Sequence, residues 1–186
     1  WLERSEMTKS TVKAVVPVSP IIKDQIKLKY YKFAEKVQNP IVPGVDKELG
    51  LNPSRTEREI ITIGFLGQEW RRKGLPKVLN IWRELRASGL KIKLILAGFD
   101  KNEDVGISED EKDDIQLLGW ISDKLKFYSK VDLLIHPAKR EAFGMVIAEA
   151  LFLKIPVICS TQCGASVYEQ KGALTVLDES APISDW

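Results

Sequence analysis

The stretch of this sequence that is best suited to chemistry begins and ends with a glutamate, Glu141 and Glu149, eight residues apart. Between them, Gly144 precedes a run at positions 145–153 that has no glycine or proline and is rich in helix-favouring residues, so we predict a short helix there. Every position three or four residues from Glu149 on that helix is apolar, and a charge on an apolar face requires a partner or a ligand. These neighbours are Met145, Val146, Phe152 and Leu153.

The first turn of the predicted helix adds backbone N–H groups that lack a partner within the helix and attract anions. Glu141 precedes this turn, and Gly144 lets a ligand approach the backbone closely. A carboxylate, free amides and a second carboxylate suit a ligand with hydroxyls at both ends and negative charge in the middle, such as a sugar nucleotide. The alternative is structural: Glu149 forms a salt bridge with a core arginine or lysine, and Glu141 is simply solvated.

A basic segment at positions 67–74 has glycine at each end and places Arg72 and Lys73 beside the start of a predicted helix. Two cations next to free helix amides suit a diphosphate, although a solvated pair of loop cations is the simpler interpretation. The segment is not a Walker loop, and the sequence lacks the G-x-G-x-x-G fingerprint of dinucleotide-binding proteins. The missing fingerprint disfavours a nicotinamide-dependent oxidoreductase.

From residue 60 onward, short apolar runs alternate with helical patterns, and these runs predict the strands and helices that position the groups above. We predict an α/β fold, a Rossmann-like parallel β-sheet of about six strands flanked by helices. Ligands bind such sheets beyond the carboxyl ends of the strands, where positions 67–74, 119–122 and 137–144 should lie. The predicted strands are 60–66, 91–97, 115–118, 131–136, 155–159 and 173–177, and the predicted helices are 75–87, 122–130 (capped by Ser122) and 145–153.

The first 58 residues lack the alternation of strands and helices that is predicted for the rest of the chain. Positions 12–18 predict a buried strand and positions 20–36 a basic amphipathic helix. The lysines and aromatic residues of this helix suit either a solvated face over a packed underside or peripheral contact with an anionic membrane. Prolines and glycines at positions 38–52 predict an extended linker, so a domain boundary should fall between residues 40 and 58.

Composition excludes several classes of protein. A net charge of +2 is too mild for a nucleic-acid-binding domain, and no run of about 20 apolar residues predicts a membrane span. One histidine and two cysteines make no zinc site, so we expect Cys159 to pack in the core, Cys163 to be a loop thiol, and the compartment to be reducing and cytoplasmic. The acidic segment after Gly98 lacks calcium-loop spacing and predicts a solvated surface loop.

Five motifs in order resemble glycosyltransferase family 4, retaining enzymes of the two-domain GT-B architecture, over about residues 55–178. Two further elements, His136-Pro137-Ala138 and Cys163-Gly164, are similar to the bacterial lipopolysaccharide-core α-glucosyltransferases within that family. The five motifs are Gly64-Phe65-Leu66-Gly67 with Arg72-Lys73-Gly74, Leu118-Gly119-Trp120, Asp132-Leu133-Leu134-Ile135-His136-Pro137, Glu141-x7-Glu149, and Pro156-Val157.

The resemblance implies a role for each matched position. Glu141 would bind hydroxyls of the transferred sugar, and Lys73, helped by Arg72, would neutralise the diphosphate as it departs. These three are the expected catalytic residues. The expected donor-binding residues are Gly67, Gly119, Trp120, Ile121, Ser122, Leu125, Phe143, Gly144, Met145, Val146 and Glu149, with Glu149 on the ribose hydroxyls.

The resemblance also implies a reaction: transfer of a hexose, expected to be glucose from UDP-glucose, to a cell-envelope glycan or lipopolysaccharide-core acceptor. No metal cofactor is expected, since a D-x-D motif is absent. Residues 1–40 would be a remnant of the N-terminal acceptor domain, 41–58 the interdomain linker, and 59–186 a C-terminally truncated donor-binding domain.

Two features qualify this expectation. Many family members carry an arginine just after the first-strand glycine, where this chain has Gln68, so phosphate neutralisation would rest more heavily on Arg72 and Lys73. A chain that starts at Trp1 and lacks most of the acceptor domain is expected to be inactive alone. The alternative function is therefore a nucleotide-binding module without catalysis of its own.

Overall fold

A six-stranded, all-parallel sheet forms the centre of the protein in the computed structural model, which describes residues 9, 11–50 and 59–186. The strand order is β3-β2-β1-β4-β5-β6, so the direction of winding reverses between β1 and β4. All six predicted strands are present in one parallel sheet, which confirms the fold class; their order within the sheet was not predicted. The strands are β1 (Ile61–Leu66), β2 (Ile92–Ala97), β3 (Ile115–Gly119), β4 (Leu133–His136), β5 (Val157–Ser160) and β6 (Leu174–Leu177).

Five α-helices accompany the sheet in the described ranges: α1 (Pro20–Lys29), α2 (Trp70–Lys73), α3 (Leu75–Ala87), α4 (Lys124–Tyr128) and α5 (Met145–Phe152). Short 3₁₀ turns lie at Tyr31–Lys36, Lys47–Gly50, Glu109–Glu111, Gly164–Tyr168 and Ile183–Asp185. Helix α3 has the predicted bounds. The predicted cap of α4 is wrong, because the side chain of Asp123, not that of Ser122, accepts the hydrogen bond from the Lys126 amide.

The core has two layers because alternate residues of each strand face opposite sides of the sheet. Ile63 and Phe65 of β1 pack with α3, whose Trp82 is fully buried. Leu66 and the strands β4 and β5 pack with α5. Helices on both faces explain why the strands read as continuous apolar runs, as is typical of parallel sheets.

The N-terminal segment departs from prediction. Positions 12–18 do not form a strand, because their extended backbone pairs with the rest of the described chain at one bridge, Val15 with Val37. The predicted helix 20–36 breaks at Tyr30, whose backbone leaves the helical region, and continues as a 3₁₀ turn. Within the predicted extended linker Lys47–Gly50 form a 3₁₀ turn, and residues 51–58 lie outside the described residues, so the domain boundary between 40 and 58 stays a prediction. In the described ranges, every helix falls short of the length or hydropathy that a membrane span requires.

Ser19 connects this segment to the domain. Its hydroxyl accepts from the Ile22 amide, which caps α1, and donates to the carbonyl of Ala142 at 2.7 Å. Gly164 makes the approach possible, because a Cβ there would lie 2.7 Å from the Cβ of Ser19. The segment therefore contacts the loop between the two glutamates singled out above.

The acidic connection between β2 and β3 is solvated as predicted, except at Glu111. This side chain is 6% exposed, and its carboxylate accepts from the guanidinium of Arg83 at 2.6 and 2.9 Å and from the Ser108 amide at 2.9 Å. The Arg83 guanidinium, and after it the Ser108 hydrogen bonds, outweigh burial and lower the pKa of the Glu111 carboxyl to about 2.

We expect Glu111→Gln to lower the free energy of unfolding at pH 7 by about 2 kcal/mol, a value reduced for the partly exposed Arg83. A folded-state pKa below the unfolded one stabilises the protein above the unfolded value, and that contribution disappears as pH falls from 4.5 towards 2. Urea unfolding at several pH values measures this. The control is Glu109→Gln, an exposed pair with Lys112 in the same turn, expected to change stability by under about 0.5 kcal/mol. Equal losses in both variants would contradict the assignment.

Candidate functional site

Lys73 and Glu141 form an ion pair beyond the carboxyl ends of β1 and β4. Lys73 ends α2, and Glu141 lies in the loop after β4, where its amide donates to the carbonyl of Gln162. Their side chains are 17% and 12% exposed, so the pair remains in contact with solvent. The structure thus brings together two residues predicted to bind neighbouring parts of one donor, Glu141 the sugar hydroxyls and Lys73 the diphosphate.

Gly74 allows this approach. Its φ of +88° is in the left-handed region, and a Cβ there would overlap the carbonyl oxygen of Pro137. A glycine between α2 and α3 therefore lets Lys73 lie against the loop that carries Glu141.

We expect Gly74→Ala to destabilise the protein by at least about 3 kcal/mol, from left-handed strain plus the overlap. Gly89→Ala is the matched control, because Gly89 has a φ of +90° but nothing within 4 Å of the added Cβ. It should lose only about 1 kcal/mol, since strain alone remains. Thermal unfolding of both variants makes the comparison, and similar losses would remove the packing role of Gly74.

The Glu141 carboxyl is held ionised. Burial raises its pKa, but His136 and the Lys73 ammonium outweigh that effect and lower the pKa to about 2. At neutral pH the group is therefore a carboxylate that accepts hydrogen bonds, as binding to sugar hydroxyls would require.

Arg72 is engaged elsewhere. Its guanidinium bonds the Glu69 carboxylate at 2.8 and 3.0 Å and donates to the carbonyl of Arg140, while the Lys139 amide donates to the Arg72 carbonyl. Arg72 thereby ties α2 to the loop after β4. Three of its five N–H donors are engaged, so the predicted contact with a phosphate would have to use the remaining two or displace Glu69.

The first turn of α5 offers free amides. Gly144 precedes the helix with φ 97° and ψ 64°, and no side chain caps it. Among the described residues, the amides of Phe143, Gly144, Met145 and Val146 have no acceptor, and the first to bond is Ile147, to the Gly144 carbonyl. This turn is the predicted anion site, with its donors unused.

Glu149 lies one turn further along α5 and is 4% exposed. One carboxylate oxygen accepts from Lys124 Nζ and the other from the Tyr128 hydroxyl, both at 2.7 Å. Burial, and then the Glu149 charge, raise the pKa of Tyr128, so its hydroxyl stays a donor. The partner predicted from the apolar face exists, but the Lys124 side chain is 46% exposed and so is not a core cation. An exposed ammonium can be displaced, and ribose binding by Glu149 stays a prediction.

The loop from β3 to α4 lies beside Glu149, since Lys124 begins α4. Ile121 and Leu125 pack on the same apolar cluster as Met145 and Val146, the predicted donor-binding residues of α5. Trp120 is 62% exposed and Ser122 is also exposed, while Gly119 is buried with a φ of +72°. On the other side, the Gly67 amide donates to the Ala97 carbonyl at 3.0 Å, which joins the loops after β1 and β2.

Comparison with known proteins shows which family this chain belongs to. Residues 57–183, more than half of the chain, match the family described as glycosyl transferases group 1. The chain belongs to that family. A group 1 relative, the capsular polysaccharide biosynthesis glycosyltransferase CapM of Staphylococcus aureus, is 30% identical over 111 residues, covering 55% of this chain and 28% of CapM. The chain therefore spans under a third of this relative.

Solved glycosyltransferases share the fold of this group 1 chain. WaaG, involved in lipopolysaccharide biosynthesis, has a TM-score of 0.72 at 20% identity, covering 91% of this chain and 50% of WaaG. Anabaena HepE, solved with UDP-glucose, has a TM-score of 0.70 at 17% identity, covering 92% of this chain and 51% of HepE. The six-stranded parallel sheet and its helices match the C-terminal domains of GT-B glycosyltransferases.

The sequence analysis did not single out three residues that contact or lie beside the two glutamates: Lys124, Tyr128 and His136. Lys124 and Tyr128 are four residues apart in one helix, so they share a face, but that spacing does not by itself indicate that they contact Glu149. His136 was noted only within a motif. It is fully buried, and its Nε2 lies 3.8 Å from the same Glu141 oxygen that Lys73 contacts.

Proposed function

We propose that this chain is the donor-binding domain of a retaining family 4 glycosyltransferase that transfers glucose from UDP-glucose to a cell-envelope glycan or lipopolysaccharide-core acceptor. The observation that carries the proposal is one row of groups: the Lys73–Glu141 pair, the unbonded amides at Gly144, and Glu149 beside the β3–α4 loop. Along the chain, the Glu141 carboxylate, the free amides at Gly144 and the Glu149 carboxylate follow the order of hexose, diphosphate and ribose in a nucleotide sugar.

Each part of the donor has a complementary group in this arrangement. The diphosphate fits the first turn of α5 with Lys73, because free amides and an ammonium both stabilise phosphate charge. Hydroxyls of the hexose fit the Glu141 carboxylate, and those of the ribose fit Glu149 after Lys124 is displaced. The base fits the exposed side of residues 119–125.

The chemistry follows from the leaving group. Transfer breaks the bond between the anomeric carbon and the β-phosphate oxygen, so negative charge develops on the diphosphate. In this proposal Lys73 and the amides at Gly144 bind the diphosphate, and prearranged donors of this kind stabilise the transition state more than the ground state. We propose that they act without a metal ion, so transfer should continue in EDTA.

Different relatives support the proposed donor and the proposed class of acceptor. The solved structure of HepE contains UDP-glucose, which supports a uridine diphosphate sugar. CapM acts in capsular polysaccharide biosynthesis and WaaG in lipopolysaccharide biosynthesis, which supports a cell-envelope acceptor. We propose reaction at the cytoplasmic side, where such donors are made available; contact of residues 1–40 with the membrane stays a prediction.

A second candidate is a nucleotide-binding module that does not catalyse transfer. It is favoured by the extent of the match, since the chain spans about half the length of its solved relatives WaaG and HepE.

Isothermal titration with UDP and UDP-glucose tests the proposal. We expect saturable binding of both at one site, weakened in Lys73→Ala and Glu149→Ala. ATP and NADH serve as controls and should bind more weakly. Incubation of the full-length protein that contains this chain with labelled UDP-glucose and acceptor separates the two candidates: transfer supports the enzyme, and binding without transfer supports the module. Absence of UDP binding in a folded chain would contradict both.

A further inference from the structure

His136 is the most unusual buried polar group among the described residues. It ends β4, is fully buried, and neither of its ring nitrogens has a hydrogen-bond partner among the described residues. Its ring stacks on Phe65 at a centroid distance of 6.3 Å. A buried imidazole without hydrogen bonds is costly, so its position beneath Glu141 requires an explanation.

The titratable groups that face His136 come from three elements. Glu141, in the loop after β4, has Oε2 3.8 Å from His136 Nε2, beyond hydrogen-bond range but close enough for charge attraction. Lys73, from α2, contacts the same oxygen. The Cys163 thiol, after β5, donates to the backbone carbonyl of His136 at 3.7 Å, and so does not face the ring nitrogens through a hydrogen bond.

Glu141 therefore has two candidate cations for one oxygen. In the free site Lys73 neutralises the carboxylate, and a second positive charge on His136 would be repelled by the ammonium. A diphosphate changes this balance, because it carries more negative charge than Glu141 and draws the ammonium to itself. Glu141 is then left with the imidazole, the side-chain type that gains a proton most readily near neutral pH.

We propose that binding of a nucleoside diphosphate is coupled to uptake of one proton by His136, which replaces Lys73 as the partner of Glu141; this rests on the proposed function. The imidazole takes the proton from solvent on its unprotonated ring nitrogen, Lys73 keeps its own, and no covalent bond other than N–H forms. Protonated His136 closes the 3.8 Å gap to a hydrogen bond. His136 is thus a positioning residue that holds Glu141 ionised and oriented towards the hexose.

The single histidine of the sequence makes a direct test possible. In a tag-free chain, the ring carbon signal of His136 needs no assignment in a carbon–proton NMR spectrum. We expect it to move towards the position of the protonated ring when UDP is added at pH 7. Lys73→Met should produce the same movement without UDP, and Glu141→Gln should prevent it with or without UDP. Arg71→Ala, a cation of α2 stacked on Trp70, should change nothing.

Isothermal titration in buffers of different ionisation enthalpy counts the protons. The wild-type chain should take up close to one more proton per UDP than His136→Gln, with the variant correcting for protons of UDP itself. Cys163→Ala should match the wild type. If UDP binds while His136 stays neutral, the coupling is wrong and the proposed function stands. If UDP does not bind to the folded wild-type chain, both are overturned.

Discussion

Lys73→Ala should lower kcat of the full-length enzyme by about 100- to 1000-fold, the usual loss when one prearranged donor to a developing charge is removed. Lys73 contacts Glu141, which lies three residues before the glycine that precedes the free amides of α5. Because the charge on the diphosphate grows in the transition state, kcat should fall more than the affinity for UDP-glucose does.

Initial rates at saturating UDP-glucose measure the effect. Arg71→Ala is the matched control, since Arg71 belongs to the same short helix but its guanidinium lies over the Trp70 ring, 4.1 Å from the centroid. It should retain close to full activity. A fully active Lys73→Ala enzyme would remove Lys73 from the chemistry and leave its contact with Glu141 as a structural salt bridge.

Glu149→Ala should weaken UDP binding by about 10- to 100-fold, because hydrogen bonds from ribose hydroxyls to a buried carboxylate are charge-assisted. The same variant leaves the buried Tyr128 hydroxyl without its acceptor at 2.7 Å, so some loss of thermal stability should accompany it. Isothermal titration measures affinity, and a parallel melting curve shows that the variant is folded.

Lys124→Met separates the two interpretations of Glu149. If the carboxylate serves the ribose, Lys124 competes with the ligand, and its removal should leave UDP affinity unchanged or higher. If Glu149 exists to pair with Lys124, the variant should lose stability as much as Glu149→Ala does, with no link to UDP. Unchanged UDP affinity in a folded Glu149→Ala chain would contradict the ribose role.

The fold could be predicted where the local signals agree. Helix α3 has its predicted bounds because Gly74 stops the preceding turn, and Ser88 and Gly89 end the periodic run. The six strands are short and mostly apolar runs that alternate with helices and loops, so their positions along the chain could be predicted, whereas their order within the sheet was not. Helix α2 was missed because four residues make one hydrogen-bonded turn, which leaves no periodic pattern.

Other features depend on contacts that composition does not encode. Positions 12–18 look like a strand, yet a strand exists only where a neighbour pairs along its length, and here the described chain forms one bridge, at Val15, and a further hydrogen bond, from the Ile41 amide to the Pro17 carbonyl. Glu111 resembles its acidic neighbours in residue type and differs because Arg83 reaches it from α3 and the Ser108 amide donates to it. The Glu149 partners were not predicted for the same reason: an apolar helix face indicates that a partner exists without indicating which residue it is.

The most direct measurement is a crystal structure of this chain with UDP-glucose bound. We predict the diphosphate at the first turn of α5 within contact of Lys73, a ribose hydroxyl on Glu149 in place of Lys124, and the hexose beside Glu141. A nucleotide bound elsewhere, with Glu149 still held by both Lys124 and Tyr128, would contradict the account.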